Sequence, residues 1–563
     1  MRAAKWICNI LVAGAILVSN HTSAMPPEHV KYDVVIRNGT VVDGTGRPGY
    51  VADVAIRGDH IVFIGKVPEK GTVTVDAGGL VVAPGFIDMH NHSEYSLLVD
   101  GHGPSFSLQG VTLQVFGEDD SMGPVGGKRI PPDLPPGVKL TWNTLGEFLD
   151  TLERRGTASN FCSYVGSGAV RAIVVGYENR PATPVEIEEE KRIVREAMAE
   201  GAMGLSSALS YVPNIYMSTE ELTALAKEAA AAGGIYATHI RTVNGRDPEA
   251  VREAIVIGEG ASLPVHLFHL NSVASTSADK FLSIIREARQ RGVKVTADAY
   301  PYTWGITGLS DYLPVWAQAD GIDSMLARLR DPEQRRRIAK GFRTEEPFYL
   351  TSWDRVRLGV SDPAINGKLV SEVAEMRHKD ADDVYMDIVL EQRGKGLVID
   401  RNNEEATLKE VMLEPYVSVG TDGSAVDLQN MDKLRDNDLV SPLLHPRHLG
   451  TFPRWLAKYV REEHLMTLEE AIRRMTSLAA ETLGLNDRGV LAPYKFADVV
   501  VFDPNAITDK ATYEDPNHYS EGVRYLLVNG KFVVQDGKVT SALPGRALRR
   551  SGYQTKGIRT NPN

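Results

Sequence analysis

Pro84-Gly85-Phe86-Ile87-Asp88-Met89-His90-Asn91-His92 is the stretch on which the fold is decided. An apolar strand that ends in histidines two residues apart carries both imidazoles on one face, because side chains alternate along a strand. His90 and His92 can then reach a single metal ion. Alone, such a pair fits a packing or surface role equally well. The rest of the chain shifts the balance. His239 ends the strand Ile235 to Thr238, and His269 ends Val265 to Phe268. In a (β/α)₈ barrel the chemistry sits at the C-terminal ends of the strands, so four histidines on three strand ends converge on one mouth. Imidazole is a common neutral ligand of zinc. His266 falls three residues before His269 and points to the other side of its strand, a structural position. A further strand, Val417-Ser418-Val419, runs into Gly420-Thr421-Asp422-Gly423. Asp422 suits a general base that takes a proton from metal-activated water and passes it to a leaving amine.

The surrounding segments support a barrel. Thr183-Pro184 with Glu186 opens a helix with cap, first-turn proline and capping carboxylate; Ser218 with Glu221 opens another, and Asp247-Pro248 a third. Strands follow at Ile235 to His239, Pro264 to His269 and Val293 to Asp298. Repeated helix and strand units imply a parallel sheet, most simply a (β/α)₈ barrel. A doubly wound open sheet is the rival, weakened because no Gly-x-Gly-x-x-Gly turn follows a strand. Short β-branched runs with Asn-Gly and Asp-Gly turns occupy Tyr32 to Val82 and return at Ala497 to Phe502 and Tyr525 to Val539. These two ends predict a small β-sandwich built from both termini, residues 25–83 and 490–545. The barrel then occupies 84–489, with a lid-like insertion at about 331–410 and a tail at 546–563.

The chain has 563 residues, 43% hydrophobic and 24% charged, with a formal net charge of −11. That length suits more than one domain, and that charge repels phosphate backbones, so nucleic acid is excluded as a partner. Arg2 and Lys5, the apolar run Trp6 to Val18 and Thr22-Ser23-Ala24 have the three regions of a secretory signal peptide spanning residues 1–24. The apolar run is too short for a stable membrane span. Removal of Cys8 with that segment leaves Cys162 as the one cysteine, a free buried thiol. The expected location is periplasmic or secreted.

Taken together, Pro84 to His92, Gly110-Val111-Thr112, Gly204-Leu205-Ser206, Thr238-His239-Ile240-Arg241, Phe268-His269-Leu270, Tyr300-Pro301-Tyr302, Thr421-Asp422-Gly423, His445-Pro446-Arg447 and Gly450-Thr451-Phe452-Pro453-Arg454 resemble the amidohydrolase superfamily. Within it the chain resembles the N-acyl-D-amino-acid deacylases, or D-aminoacylases. The resemblance implies a barrel holding one or two zinc ions and cleaving the amide of an N-acyl-D-amino acid. His90, His92, His239 and His269 would surround the metal and Asp422 would handle protons. Arg447 would bind the substrate carboxylate, with Arg241 in support, and Tyr300 would assist, Tyr302 being the alternative.

Two departures stand out. Where these deacylases often carry a metal-binding cysteine, this chain has Gly117-Glu118-Asp119-Asp120-Ser121, so a carboxylate replaces the thiolate. Glu118 is the first choice and Asp119 the second. Asn271 stands where a lysine is frequent, which leaves charge recognition mainly to Arg447. Apolar D-amino acids are therefore expected to be preferred over acidic ones. A cyclic-amide hydrolase or D-dipeptidase would use the same centre, and a non-catalytic periplasmic binding protein is the alternative from another class. Oligomeric state is not legible in the sequence.

Overall fold

The computed structural model describes residues 31–241, 247–272, 278–345, 352–435 and 443–550. Residues 1–24, expected to be a signal peptide, lie outside them. Eight short parallel strands form the barrel: β1 (Phe86–Asp88), β2 (Val111–Phe116), β3 (Asn160–Ser163 continuing through Val165–Gly166), β4 (Gly204–Ala208), β5 (Ile235–His239), β6 (Val265–Leu267), β7 (Val295–Ala299) and β8 (Val417–Val419). The ring closes where the Met89 N–H donates to the Val419 carbonyl at 3.3 Å and Asn91 pairs with Gly423. Nearly every strand residue is buried, as expected for strands packed on both faces.

The helices between strands begin where the sequence predicts. Thr183 accepts from the Glu186 N–H at 3.3 Å and Glu186 accepts from the Thr183 N–H at 2.8 Å, a reciprocal cap on Pro184–Ala199 worth about 1 kcal/mol. Ser218 caps Thr219–Ala231 by accepting from the Glu221 N–H at 3.1 Å. The resulting helix and strand order places every β-strand C-terminus on one rim, which is what brings the distant histidines together.

Both chain ends meet in one nine-stranded sheet, joined where Val81–Pro84 runs antiparallel to Val499–Phe502. Alternation decides what each face covers. Val499 and Val501 pack with Val34, Ile36 and Val54, whereas Val500 and Phe502 pack with Val81, Ala83 and Phe86 against the barrel.

Two boundaries differ from expectation. The inserted unit begins at Gly305, not near residue 331. Gly305–Gly308, Val356–Gly359 and Leu397–Asp400 form a three-stranded antiparallel sheet over a separate core that includes Leu309, Tyr312, Trp353 and Tyr385. The C-terminal segment is likewise not a loose tail through residue 550. The Gly545 N–H donates to the Thr157 carbonyl at 2.8 Å, Arg546 and Leu548 bond to the Phe161 backbone, and Arg549 and Arg550 donate to the Glu200 and Ala232 carbonyls. These contacts cross the barrel end opposite the histidines.

Candidate metal centre

Glu118 lies at the middle of the mouth, one residue beyond Gly117, whose positive φ of 85° bends the chain as it leaves β2. Its two oxygens face two different groups. Oε2 is 2.9 Å from His90 Nε2 and 3.3 Å from His92 Nε2. Oε1 is 3.7 Å from both His239 Nδ1 and His269 Nε2. Asp422 Oδ1 joins the first group at 3.1 Å from His92 Nε2. The donor atoms of His90, His92, Glu118 and Asp422 lie within 4.8 Å of one another, as do those of Glu118, His239 and His269. A carboxylate shared between two histidine clusters has the form of a bridge between two cation sites.

The donors fit a metal by their unmet bonding. His90 Nδ1, His239 Nε2 and Glu118 Oε1 are buried without a hydrogen-bond partner. Such atoms ordinarily cost about 1–3 kcal/mol each, and Glu118 Oε1, the one that faces His239 and His269, is placed as a ligand atom would be. Imidazole nitrogen with carboxylate oxygen is a zinc donor set. Burial, then the neighbouring His269, lowers the His239 pKa to about 3, which keeps the ring in its neutral, ligating form. Burial tends to raise the Glu118 carboxyl, but His90 and the other surrounding imidazoles hold it well below the usual carboxylate range. Desolvation opposes charge on His92, yet Asp422 and then Glu118 outweigh it and raise that ring to about 10.

The supporting residues come from the strands themselves. Asp88 accepts from the Thr421 N–H at 2.8 Å and hydroxyl at 2.7 Å, and the Asp422 N–H donates to the His90 carbonyl at 2.8 Å. These bonds fix Asp422 in a left-handed turn, φ 49°, which an aspartate tolerates. Asp298 accepts from the His269 N–H at 2.8 Å and from His266 Nε2 at 2.9 Å, while Thr296 bonds His266 Nδ1. His266 is thereby satisfied at both nitrogens, in keeping with a structural place. Asp88 and Asp298 were missed by sequence reasoning, although each is an acidic residue near the end of a barrel strand, where such residues are unexpected in a purely apolar core.

Of the two acidic candidates, the structure brings Glu118 to the cluster and turns Asp119 away. Asp119 has φ 54° and bonds the Asn214 amide. Arg447 enters the mouth but donates from Nη1 to Asp422 Oδ2 at 2.8 Å; its Nε is buried without an acceptor. Its guanidinium lies 5.0 Å over the Tyr300 ring. Desolvation would raise the Asp422 carboxyl, but Arg447 and then His90 keep it well below the usual range. Tyr300 donates to or accepts from Ser272 at 2.5 Å. Tyr302 reaches instead to the Pro446 carbonyl, 3.3 Å away.

Arg241 corrects an expectation. Its guanidinium bonds Glu253 at 3.0 and 3.1 Å and the Ile215 and Met217 carbonyls at 2.8 Å, so its fork is spent on the loop after β4 and not on substrate. Asn271, in place of the lysine, accepts from the Tyr300 N–H at 3.1 Å and ties β6 to β7. Cys162 is a buried free thiol away from the cluster, and burial raises its pKa. That loop after β4 also carries Tyr211, whose ring meets His239 edge-on at 5.0 Å. Its place just beyond a barrel strand was the available signal.

With the mouth so defined, the relationships of the chain are informative. Residues 73–534 match the Amidohydrolase family, and the chain belongs to that family. It is 32% identical to a D-aminoacylase of Alcaligenes xylosoxydans xylosoxydans, covering 92% of this chain and 98% of that one. It is 30% identical to an N-acyl-D-glutamate deacylase from the same organism, over 92% and 97% of the two chains. Among solved structures, the N-acyl-D-glutamate deacylase of Bordetella bronchiseptica, complexed with zinc and a phosphonate mimic of the tetrahedral intermediate, superposes with a TM-score of 0.77 at 28% identity, over 92% of this chain and all of that one.

Proposed function

We propose that the protein hydrolyses the amide bond of N-acyl-D-amino acids, giving a carboxylate and a free D-amino acid. The observation that carries this reading is the Glu118 carboxylate shared by His90 and His92 on one side and His239 and His269 on the other, beside an Asp422 held by Arg447. These five ligands and Asp422 would hold zinc, with Glu118 common to two sites. Bound zinc polarises an amide carbonyl and lowers the pKa of water towards about 7.

The chain's own residues do the rest. Asp422 takes the proton of the attacking water at a carboxylate oxygen and delivers it to the departing amine nitrogen. Asp88, through Thr421, fixes where that carboxylate stands. Arg447 would bind the substrate α-carboxylate through the guanidinium N–H groups that Asp422 does not occupy, a planar cation suited to that group. Tyr300 supports the guanidinium from beneath. A pure binding protein has no use for a proton-transfer aspartate so placed.

Zinc-loaded protein should release amine from N-acetyl-D-methionine and not from the L-enantiomer; cyclic amides and D-dipeptides in the same panel test the neighbouring chemistries. Absence of zinc from purified protein, or turnover of only the cyclic substrates, would overturn the assignment.

We also propose that the protein acts outside the cytoplasm. The n-, h- and c-regions of residues 1–24 support this. Among the described residues no helix is long and apolar enough to cross a membrane. Mass determination of the native N-terminus should find Met25 first.

A further inference from the structure

The inserted unit sets a carboxylate two contacts away from the tyrosine that packs on the metal cluster. From the metal cluster outward, the Tyr211 ring stands edge-on to His239 at 5.0 Å, and the Tyr211 hydroxyl is 3.1 Å from Thr307 Oγ1. Thr307 Oγ1 is in turn 2.8 Å from Asp311 Oδ2, which also accepts from the Gly308 N–H at 2.7 Å. Thr307 Oγ1 thus stands between the phenol and the carboxylate, within hydrogen-bond distance of both. Asp311 Oδ1 takes no bond among the described residues, and the residue is only partly covered. No arginine or lysine pairs with Asp311 there. Its surroundings are neutral dipoles, and burial raises its pKa, as for a carboxylate short of counter-charge. Arg241, which follows β5 and reaches the Tyr211 loop at the Ile215 and Met217 carbonyls, is paired with Glu253.

We infer that Asp311 is a specificity-determining residue: it lines the subsite for the side chain of the D-amino acid, favours a cationic side chain, and rejects an acidic one. This deepens the deacylase reading and rests on it. Favourable charge pairing draws a cationic substrate in, and juxtaposed like charges suppress an acidic one.

The test compares kcat/KM of the zinc-loaded enzyme for N-acetyl-D-lysine, N-acetyl-D-norleucine and N-acetyl-D-glutamate. Lysine should exceed norleucine by about tenfold at low ionic strength, with glutamate lowest, and added salt should compress the spread. Asp311→Asn should reduce the lysine-to-norleucine ratio by about tenfold. A wild-type preference for glutamate, a lysine-to-norleucine ratio near one, or a ratio that the substitution leaves unchanged overturns the inference while leaving the deacylase reading intact. If none of the three is hydrolysed, the deacylase reading itself falls, and this inference falls with it.

Discussion

His266 and His239 are both buried in the barrel, on neighbouring strands, yet they differ in one respect. Thr296 and Asp298 satisfy both nitrogens of His266, whereas His239 Nε2 has no partner. The first histidine belongs to the packed wall of the barrel and the second to the rim, where bonding is left open for something to bind. Burial alone therefore does not separate a structural imidazole from a ligating one. For this pair, the count of unmet donors and acceptors does.

The sharpest way to break this comparison is at the proton carrier. Asp422→Asn should lower kcat by about a thousandfold, the scale of a lost general base, in protein that melts cooperatively like the parent. Retention of most activity would remove Asp422 from its role. Next comes the shared ligand: Glu118→Ala should weaken zinc retention by at least about a hundredfold, measured by competition with a chelator, because both histidine clusters lose an anionic donor. Unchanged zinc content would show that Glu118 does not bridge.

On the structural side, His266→Ala should cost about 3–5 kcal/mol of stability by leaving Asp298 buried without its imidazole, read as a lower Tm, while zinc stoichiometry stays at the parent value. A metal loss equal to that of Glu118→Ala would erase the distinction between wall and rim.

The smallest expected effect lies outside the mouth. Glu190 is fully buried, both its oxygens lack partners, and burial, then Glu221, raises its pKa to about 8 from an ordinary 4.5. The folded chain thus holds a proton that the unfolded chain releases. Its contribution to stability is present in full below about pH 4.5 and is lost as pH rises towards 8. Glu190→Gln should gain Tm relative to wild type at pH 8.5 compared with pH 6. An equal Tm difference at both values would refute the shift.

The histidines were legible in the sequence because strand periodicity and the chemistry of barrel ends are local rules: each imidazole ends its own strand. The helix starts at Thr183 and Ser218 were legible for the same reason, since a cap is contained within four residues. The start of the insertion was not. Gly305–Gly308 has weak strand composition and is held by Leu397–Asp400, whose pairing spans about ninety residues. Arg241 was placed beside Arg447 from the resemblance, but a guanidinium goes to whichever acceptor the fold supplies. For Arg241 that acceptor is Glu253, one helix further on. Glu118 was the first choice from the resemblance, and the backbone agrees, since Asp119 at φ 54° turns to the Asn214 amide.

The strap of residues 545–550 has a consequence for how the molecule is made. It seals the base of the barrel by bonds to Thr157, Phe161, Glu200 and Ala232, and Val499–Phe502 must find Val81–Pro84 before the terminal sheet exists. Late-synthesised residues therefore complete what early ones begin: the terminal sheet and the strap can form only once those residues have been made.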